Sequence, residues 1–321
     1  MIHPIPSGTR DVLPDEMREL RAISESLRAV FERAGYGEVY TPALEFETTL
    51  ARGDVAGPAR AAYRLFDENG DVLVLRSDMT VPIARVAATR YAGAEPPLRF
   101  AYLAHAYRGV RPQRGQPREF LQAGIELIGS AAPEGTAEAL TVLCTALDAA
   151  GLEAYRVGLG DASLYPALLE SFGVDGAGRE RVSRELVERN FVGLEHELTA
   201  LGLAPEAVAL LLSVPQIRGG VEVFDRAQGP VAEAAAGMRS VHGLLEPAVA
   251  DRLIFDLGLV RGLGYYTGAV FEVYDPALGM PLGGGGRYDE LLASFGRPLP
   301  AVGFALNVER LHIALTGEER L

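Results

Sequence analysis

Between positions 108 and 126 the sequence concentrates residue types that hold small charged molecules. Arg108, Arg111, Arg114 and Arg118 fall within eleven residues of a chain whose 30 basic and 43 acidic residues leave a net charge of −13. The guanidinium fork binds carboxylates and phosphates bidentately, so arginines near a loop tip suit an anionic group. A solvated basic loop is the plainer reading. Just beyond, the alternation of an extended segment puts Gln122, Gly124 and Glu126 on one side and Ala123, Ile125 and Leu127 on the other. An amide and a carboxylate flanking a residue without a side chain would suit the floor of a small site. They would also suit a strand with one wet face. A third segment, Val260–Gly268, sets Arg261, Tyr265 and Tyr266 among three glycines. Tyrosine offers an aromatic face and a hydroxyl together, although a tight turn packed by aromatics has the same composition. Taken together, acids facing an ammonium and an arginine facing a carboxylate would fit a zwitterionic amino acid.

The composition removes many other chemistries. All 30 basic residues are arginine, so Schiff-base catalysis and a phosphate-loop lysine are excluded. Cys144 is the only cysteine, which rules out an intrachain disulfide and a cysteine metal cage. Histidines 3, 105, 196, 242 and 312 show no HxxxH or HxH spacing. Neither a metal nor a cofactor is expected, and the acidic balance disfavours nucleic acid. The start of the sequence has no basic-then-apolar leader pattern. Apolar runs such as Ala207–Leu212 fall far short of the ~20 residues of a membrane span. A reducing, cytoplasmic location with no membrane contact is the expectation.

The elements that must position these residues can be read in outline. Pro14, with Asp15 and Glu16 behind it, starts a helix that Gly35 stops, and Met17, Leu20, Ile23, Leu27, Val30 and Phe31 form its apolar stripe. Strands are expected near 36–41, 71–76, 98–108, 118–128, 155–160, 252–256, 269–274 and 301–306. Helices are expected near 78–91, 133–150, 288–294 and 308–315. The Gly/Pro/Arg-rich stretch 109–117 would be the tip of an antiparallel hairpin. From about 161 to 247 helical periodicity dominates and strand signals nearly vanish, which reads as a helical insertion. Gly283–Gly286 is a backbone that a ligand or a neighbouring strand can approach closely.

Six ordered segments carry a family resemblance: Gly8–Pro14 (GTRDVLP), Leu75–Thr80 (LRSDMT), Arg108–Glu126, Arg261–Thr267 (RGLGYYT), Gly284–Asp289 (GGGRYD) and Gly303–Leu311 (GFALNVERL). They resemble the catalytic domain of histidyl-tRNA synthetase, a class II aminoacyl-tRNA synthetase, across essentially the whole chain. The resemblance implies an α+β fold, an antiparallel sheet flanked by helices. Residues 1–160 and 248–321 would form the core, 161–247 the helical insertion, and no anticodon-binding domain is expected. It also implies a histidine pocket. Asp78 (where the family has Glu), Thr80 and Gln122 would surround the α-amino group. Arg108 and Arg261 would lie near the carboxylate. Glu126, Tyr265 and Tyr266 would hold the imidazole, and Tyr288 would close the site.

Departures from the synthetase pattern fall on the nucleotide side. Val110 stands where an acid would read the adenine amino group, Gln116 where a basic residue would meet ATP, Asn307 where the third motif has glycine, and Gly264 where RGLDYY has Asp. Amino-acid contacts retained and ATP contacts eroded resemble the regulatory-subunit family of ATP phosphoribosyltransferase. That likeness implies a non-catalytic regulatory subunit in histidine biosynthesis. It implies a short-form catalytic subunit as partner, homodimers within a hetero-oligomer such as a hetero-octamer, histidine as effector and no tRNA. A histidine-adenylating enzyme is the alternative, because Arg261 and Arg310 could still hold phosphates. A binding module with an unrelated partner is a third reading.

Overall fold

A computed structural model describes residues 5–53, 62–109, 117–227, 230–261 and 264–317. Helix α1 (Pro14–Arg33) begins at its proline and buries Leu20, Ile23, Leu27, Val30 and Phe31. Met17, expected on that stripe, is instead 40% exposed. Gly35, with φ of +83°, ends the helix in a conformation costly for a side chain.

The strands are β1 (Gly37–Glu38), β2 (Leu44–Phe46), β3 (Arg64–Phe66), β4 (Val72–Leu75), β5 (Leu98–Tyr107), β6 (Glu119–Ile128), β7 (Arg156–Asp161), β8 (Arg218–Gly219), β9 (Leu253–Asp256), β10 (Ala269–Tyr274), β11 (Gly283–Arg287) and β12 (Ala301–Asn307). Nine form one sheet in the order β1-β5-β6-β12-β11-β10-β7-β9-β8. From β5 to β7 every neighbour is antiparallel, in line with the expected antiparallel sheet. The outer pairs β1–β5 and β7–β9 are parallel, which the sequence did not indicate. The other sheet, β2-β4-β3, is small and antiparallel. Arg76 ties it to the main sheet, its Nε donating to the His105 carbonyl at 2.8 Å and Nη1 to the Pro42 carbonyl at 3.1 Å.

The main sheet separates two apolar layers. On one face Ala123, Ile125, Leu127, Val302, Phe304 and Phe271 pack with α1 and α4 (the latter spanning Glu134–Ala149). The opposite face carries a smaller cluster that includes Met79, Tyr102, Tyr265 and Tyr288. Helices α2 (Glu47–Leu50) and α3 (Thr80–Thr89) precede α4. Between 161 and 247 lie α5 (Leu164–Ser171), α6 (Gly176–Val187), α7 (Phe191–Ala200), α8 (Pro205–Ser213) and α9 (Pro230–Gly243). This helical stretch does not stand apart: Leu168, Val182, Leu194 and Leu211 belong to the same buried cluster as Val157 and Leu159 of the sheet. It also supplies β8, an edge strand too short to be seen in the sequence pattern. Beyond α10 (Pro247–Ala250), the helix expected at 288–294 is a 3-10 turn over Leu291–Phe295. Helix α11 (Val308–Thr316) closes the chain's described part. None of the described helices is long and apolar enough to cross a membrane.

Candidate functional site

A cavity of about 350 Å³ opens on the second face of the sheet. Its floor is set by strand register. Tyr102 on β5 pairs with Gly124, Gly124 with Ala305, Ala305 with Gly284, and Gly284 with Glu272, so one row crosses five strands. In the next row Glu126 pairs with Gly303 and Gly303 with Gly286. The alternation read from β6 therefore holds: Gln122, Gly124 and Glu126 share the face that meets the cavity. The four glycines are where side chains lie flat on the sheet. A Cβ on Gly284 would collide with the Arg261 guanidinium, and one on Gly286 would come 2.9 Å from the Tyr266 ring. A Cβ on Gly124 would come 2.5 Å from the Tyr102 hydroxyl, and one on Gly303 would overlap the Glu126 carboxylate. Gly124 is thus not an open floor beneath a ligand, as its lack of a side chain suggested. Tyr102 fills the space, its hydroxyl donating to the Phe304 carbonyl at 3.2 Å.

Asp78, Thr80, Arg108, Gln122, Arg261, Tyr265, Tyr266 and Tyr288 all line this cavity. Asp78 stands just before α3, where its carboxylate accepts the Val81 N–H at 3.2 Å. Burial holds its carboxyl above the ordinary range, opposed by that N–H and by Arg108. Arg108, at the end of β5, stacks over Phe120 with 4.9 Å to the ring centroid. Tyr265, Tyr266 and Tyr288 form an aromatic wall, with centroids 5.0 Å apart for the first pair and 5.8 Å for Tyr265 and Tyr288. Tyr288 is held by its neighbours: Asp289 accepts from the Ala301 N–H at 2.9 Å and pairs with Arg287 at 2.7 Å.

Glu126 lies one layer down, beneath Thr80 and Tyr288. Thr80 donates to its Oε1 at 2.7 Å and the Tyr288 hydroxyl to its Oε2. It is 1% exposed. Burial pushes its carboxyl up to about 8, against the pull of both hydroxyls. The unfolded chain sheds this proton near the ordinary 4.5. Between the two values the folded protein keeps a proton that the unfolded chain has lost. This group therefore lowers folded stability as pH rises through that window, by at most about 1.4 kcal/mol per pH unit. Glu126→Gln is expected to remove that slope while keeping the fold. Denaturant midpoints of both proteins from about pH 5 to about pH 8 check it; parallel profiles would count against it.

Among the described residues, two polar atoms in the wall have no hydrogen-bond partner, Gln122 Oε1 and Arg261 Nε. Both are fully buried, where an unpaired polar group costs roughly 1–3 kcal/mol. One wants a donor and the other an acceptor. Arg261 Nη1 is otherwise engaged, donating to the Phe271 carbonyl at 3.1 Å and lying 3.3 Å from Glu272 Oε1. An α-amino acid brings an ammonium and a carboxylate, the two groups these atoms lack.

Val110, Arg111, Arg114 and Gln116 lie outside the described residues, so part of the nucleotide-side reading has no structural counterpart. Asn307 does. It caps α11, its side chain accepting the Arg310 N–H at 2.8 Å. Arg310 lines the cavity and donates to the Pro281 carbonyl at 2.6 Å. Gly264 is exposed. The sequence did not single out the wall residues Pro281, Leu282, Tyr102 and Glu272. The last had a signal, an acid between Phe271 and Val273 in an otherwise apolar strand. Among the described residues, no group of three or more His, Cys, Asp or Glu is placed to hold a metal.

Comparison with known proteins gives this geometry its kin. A family model described as histidyl-tRNA synthetase matches residues 8–311. A protein of Desulforamulus reducens called ATP phosphoribosyltransferase regulatory subunit is 40% identical over 96% of this chain and 78% of its own. The chain belongs to the ATP phosphoribosyltransferase regulatory subunit family. Solved structures agree on the fold. One described as an ATP phosphoribosyltransferase regulatory subunit/histidyl-tRNA synthetase from Bacillus halodurans superposes with a TM-score of 0.90 at 35% identity, covering 98% of this chain and 85% of that one. A histidine–tRNA ligase subunit from Alicyclobacillus acidocaldarius superposes at 0.84 with 33% identity, covering 100% and 99%. The regulatory-subunit family thus shares its scaffold with class II synthetases, and the α+β architecture expected from the six segments is the one found.

Proposed function

We propose that this chain is a non-catalytic regulatory subunit of ATP phosphoribosyltransferase in histidine biosynthesis, and that its cavity binds histidine as a feedback effector. The observation that carries the pocket reading is that Gln122 Oε1 and Arg261 Nε, buried in the wall of a cavity that Asp78 also lines, have no hydrogen-bond partner among the described residues. Asp78, Thr80 and Gln122 would take the ammonium, Arg261 and Arg108 the carboxylate. Tyr265, Tyr266 and Tyr288, the last backed by Glu126, would enclose the imidazole. The reading includes a short-form catalytic subunit as partner, a cytoplasmic location, 161–247 as an insertion into a core of 1–160 and 248–321, and no role in tRNA charging.

A homodimer within the complex belongs to the same reading. The small sheet leaves Leu44, Phe46, Leu65 and Phe66 between 43% and 74% exposed, and Tyr40 nearby is 82% exposed. Leu44, Phe46 and Leu65 share one face of that sheet by register, and exposed apolar side chains grouped on a face suit burial against a second copy.

Reconstitution tests the whole. Mixing the chain with a short catalytic subunit is expected to raise phosphoribosyl-ATP formation several-fold, with histidine suppressing the gain. The complex mass is expected to correspond to a multiple of a dimer. No activation in any stoichiometric mixture would defeat the reading. The second reading, a histidine-adenylating enzyme, draws on Arg261 and Arg310, which both line the cavity. Histidine-dependent exchange of pyrophosphate into ATP at enzymic rates would favour it.

A further inference from the structure

Glu272 is a carboxylate shared by two arginines, one in the cavity wall and one at the end of a helix in the 161–247 stretch. Its Oε1 lies 3.3 Å from Arg261 Nη1. Its Oε2 accepts the Tyr274 hydroxyl at 2.6 Å and lies 3.8 Å from Arg189 Nη2. Arg189 Nη2 also donates to that hydroxyl at 3.1 Å. A continuous polar path therefore runs from Arg189 through Tyr274 and Glu272 to Arg261.

Arg189 sits where its side chain is not the obvious choice. It follows α6 with φ of +53°, the one positive φ of a non-glycine among the described residues. Its N–H donates to the Leu186 carbonyl at 3.0 Å, and the Asn190 N–H to that of Glu185 at 2.8 Å, which closes the helix. Glycine fills such a helix-ending position at no steric cost, and arginine does not. A strained residue is informative when its side chain makes a contact glycine could not.

We propose that Arg189 is a positioning residue for the cavity, setting how tightly Glu272 holds Arg261 and so how strongly Arg261 binds a ligand carboxylate. The sign follows from charge sharing. With Arg189 present, Glu272 divides its charge between two cations. Without it the whole charge falls on Arg261, and an incoming carboxylate competes with a stronger resident partner. Because Arg189 belongs to the helical stretch, a protein that engages this region would change ligand affinity through the same contacts. By linkage the ligand would then change that protein's affinity by the same factor. Arg189 is about half exposed, so solvent limits the effect.

The proposal rests on the amino-acid reading of the cavity, and the experiment separates the two. Calorimetry of the full chain compares L-histidine with histidinol, which lacks the carboxylate, on wild type, Arg189→Ala, Arg189→Gly and Arg189→Lys. Histidine is expected to weaken by roughly 3- to 10-fold in the alanine and glycine variants and to recover in the lysine variant. Histidinol is expected to stay within about two-fold throughout. Arg189→Gly guards against a folding artefact, since it relieves the helix end while removing the charge. Equal losses for both ligands, or wild-type affinity in Arg189→Gly, would overturn the proposal. Should wild type bind neither ligand, the amino-acid reading fails, and the contact path is read from phenylglyoxal modification of Arg261 mapped by mass spectrometry. A more tightly held Arg261 is expected to react several-fold more slowly in Arg189→Gly, and an unchanged rate overturns the path as well.

Discussion

Replacing Arg261 with alanine is expected to weaken histidine binding by roughly 10- to 100-fold, the range for a charge-assisted hydrogen bond to a buried carboxylate. The guanidinium lies on the glycine strand β11 in the cavity wall, with Nε unpaired among the described residues and Nη1 already engaged by Phe271 and Glu272. What it offers a ligand is therefore directed rather than diffuse. Arg261→Lys keeps a charge but loses the fork, and is expected to recover only part of the affinity. The fold is expected to survive the alanine change, since Glu272 keeps Tyr274 and Arg189 as partners. Calorimetry on variants with unchanged circular dichroism measures the effect. An affinity within two-fold of wild type would place the ligand carboxylate elsewhere, with Arg108 the next candidate.

The second large effect is structural. Gly303→Ala is expected to destabilise the protein by about 3 kcal/mol, the upper part of the usual range for overpacking. The new methyl would overlap Glu126 Oε2 and sit 2.5 Å from the Ile125 carbonyl oxygen. The carbonyl belongs to the paired strand β6 and cannot swing away as a flexible side chain could. Glu126 would have to move instead, breaking its bonds with Thr80 and Tyr288. Histidine affinity is accordingly expected to fall along with stability. Gly237→Ala is the control, because nothing lies within 4 Å of its added methyl in α9. That change is expected to stabilise by up to about 1 kcal/mol through helix propensity. Chemical denaturation of both variants decides the matter, and equal midpoints for Gly303→Ala and wild type would sink the packing argument.

Much of this was legible in the sequence, and the legible part was local. The alternation along β6 separated Gln122 and Glu126 from Ile125 and Leu127 because period two is a property of a single strand. Arg261, Tyr265 and Tyr266 stood out because glycines and aromatics crowded one short segment. What the sequence did not show depends on register between strands far apart in the chain. Tyr102 and Glu272 reach the cavity only because Gly124, Ala305 and Gly284 align between them. The depth of Glu126 depends on Thr80 and Tyr288 arriving from two other elements. The small sheet was half visible: β4 was expected, but β2 and β3 are three residues each, too short for alternation to declare itself. Parallel pairing of β1 with β5 and of β7 with β9 leaves no local trace at all.

The glycines under Arg261, Tyr266, Tyr102 and Glu126 also bear on how a mutational scan of this chain should be interpreted. Positions 284, 286, 124 and 303 offer no side chain to a ligand, yet each is expected to reject every substitution, polar or apolar, small or large. Tolerance profiles would rank them with the most functional residues of the protein and invite a search for chemistry they do not perform. The same profile at Arg261 or Gln122 would have a different shape, graded by what each replacement can still donate or accept. Intolerance that is flat across all replacements marks the mould, and intolerance that follows hydrogen-bonding capacity marks the residues that meet the ligand.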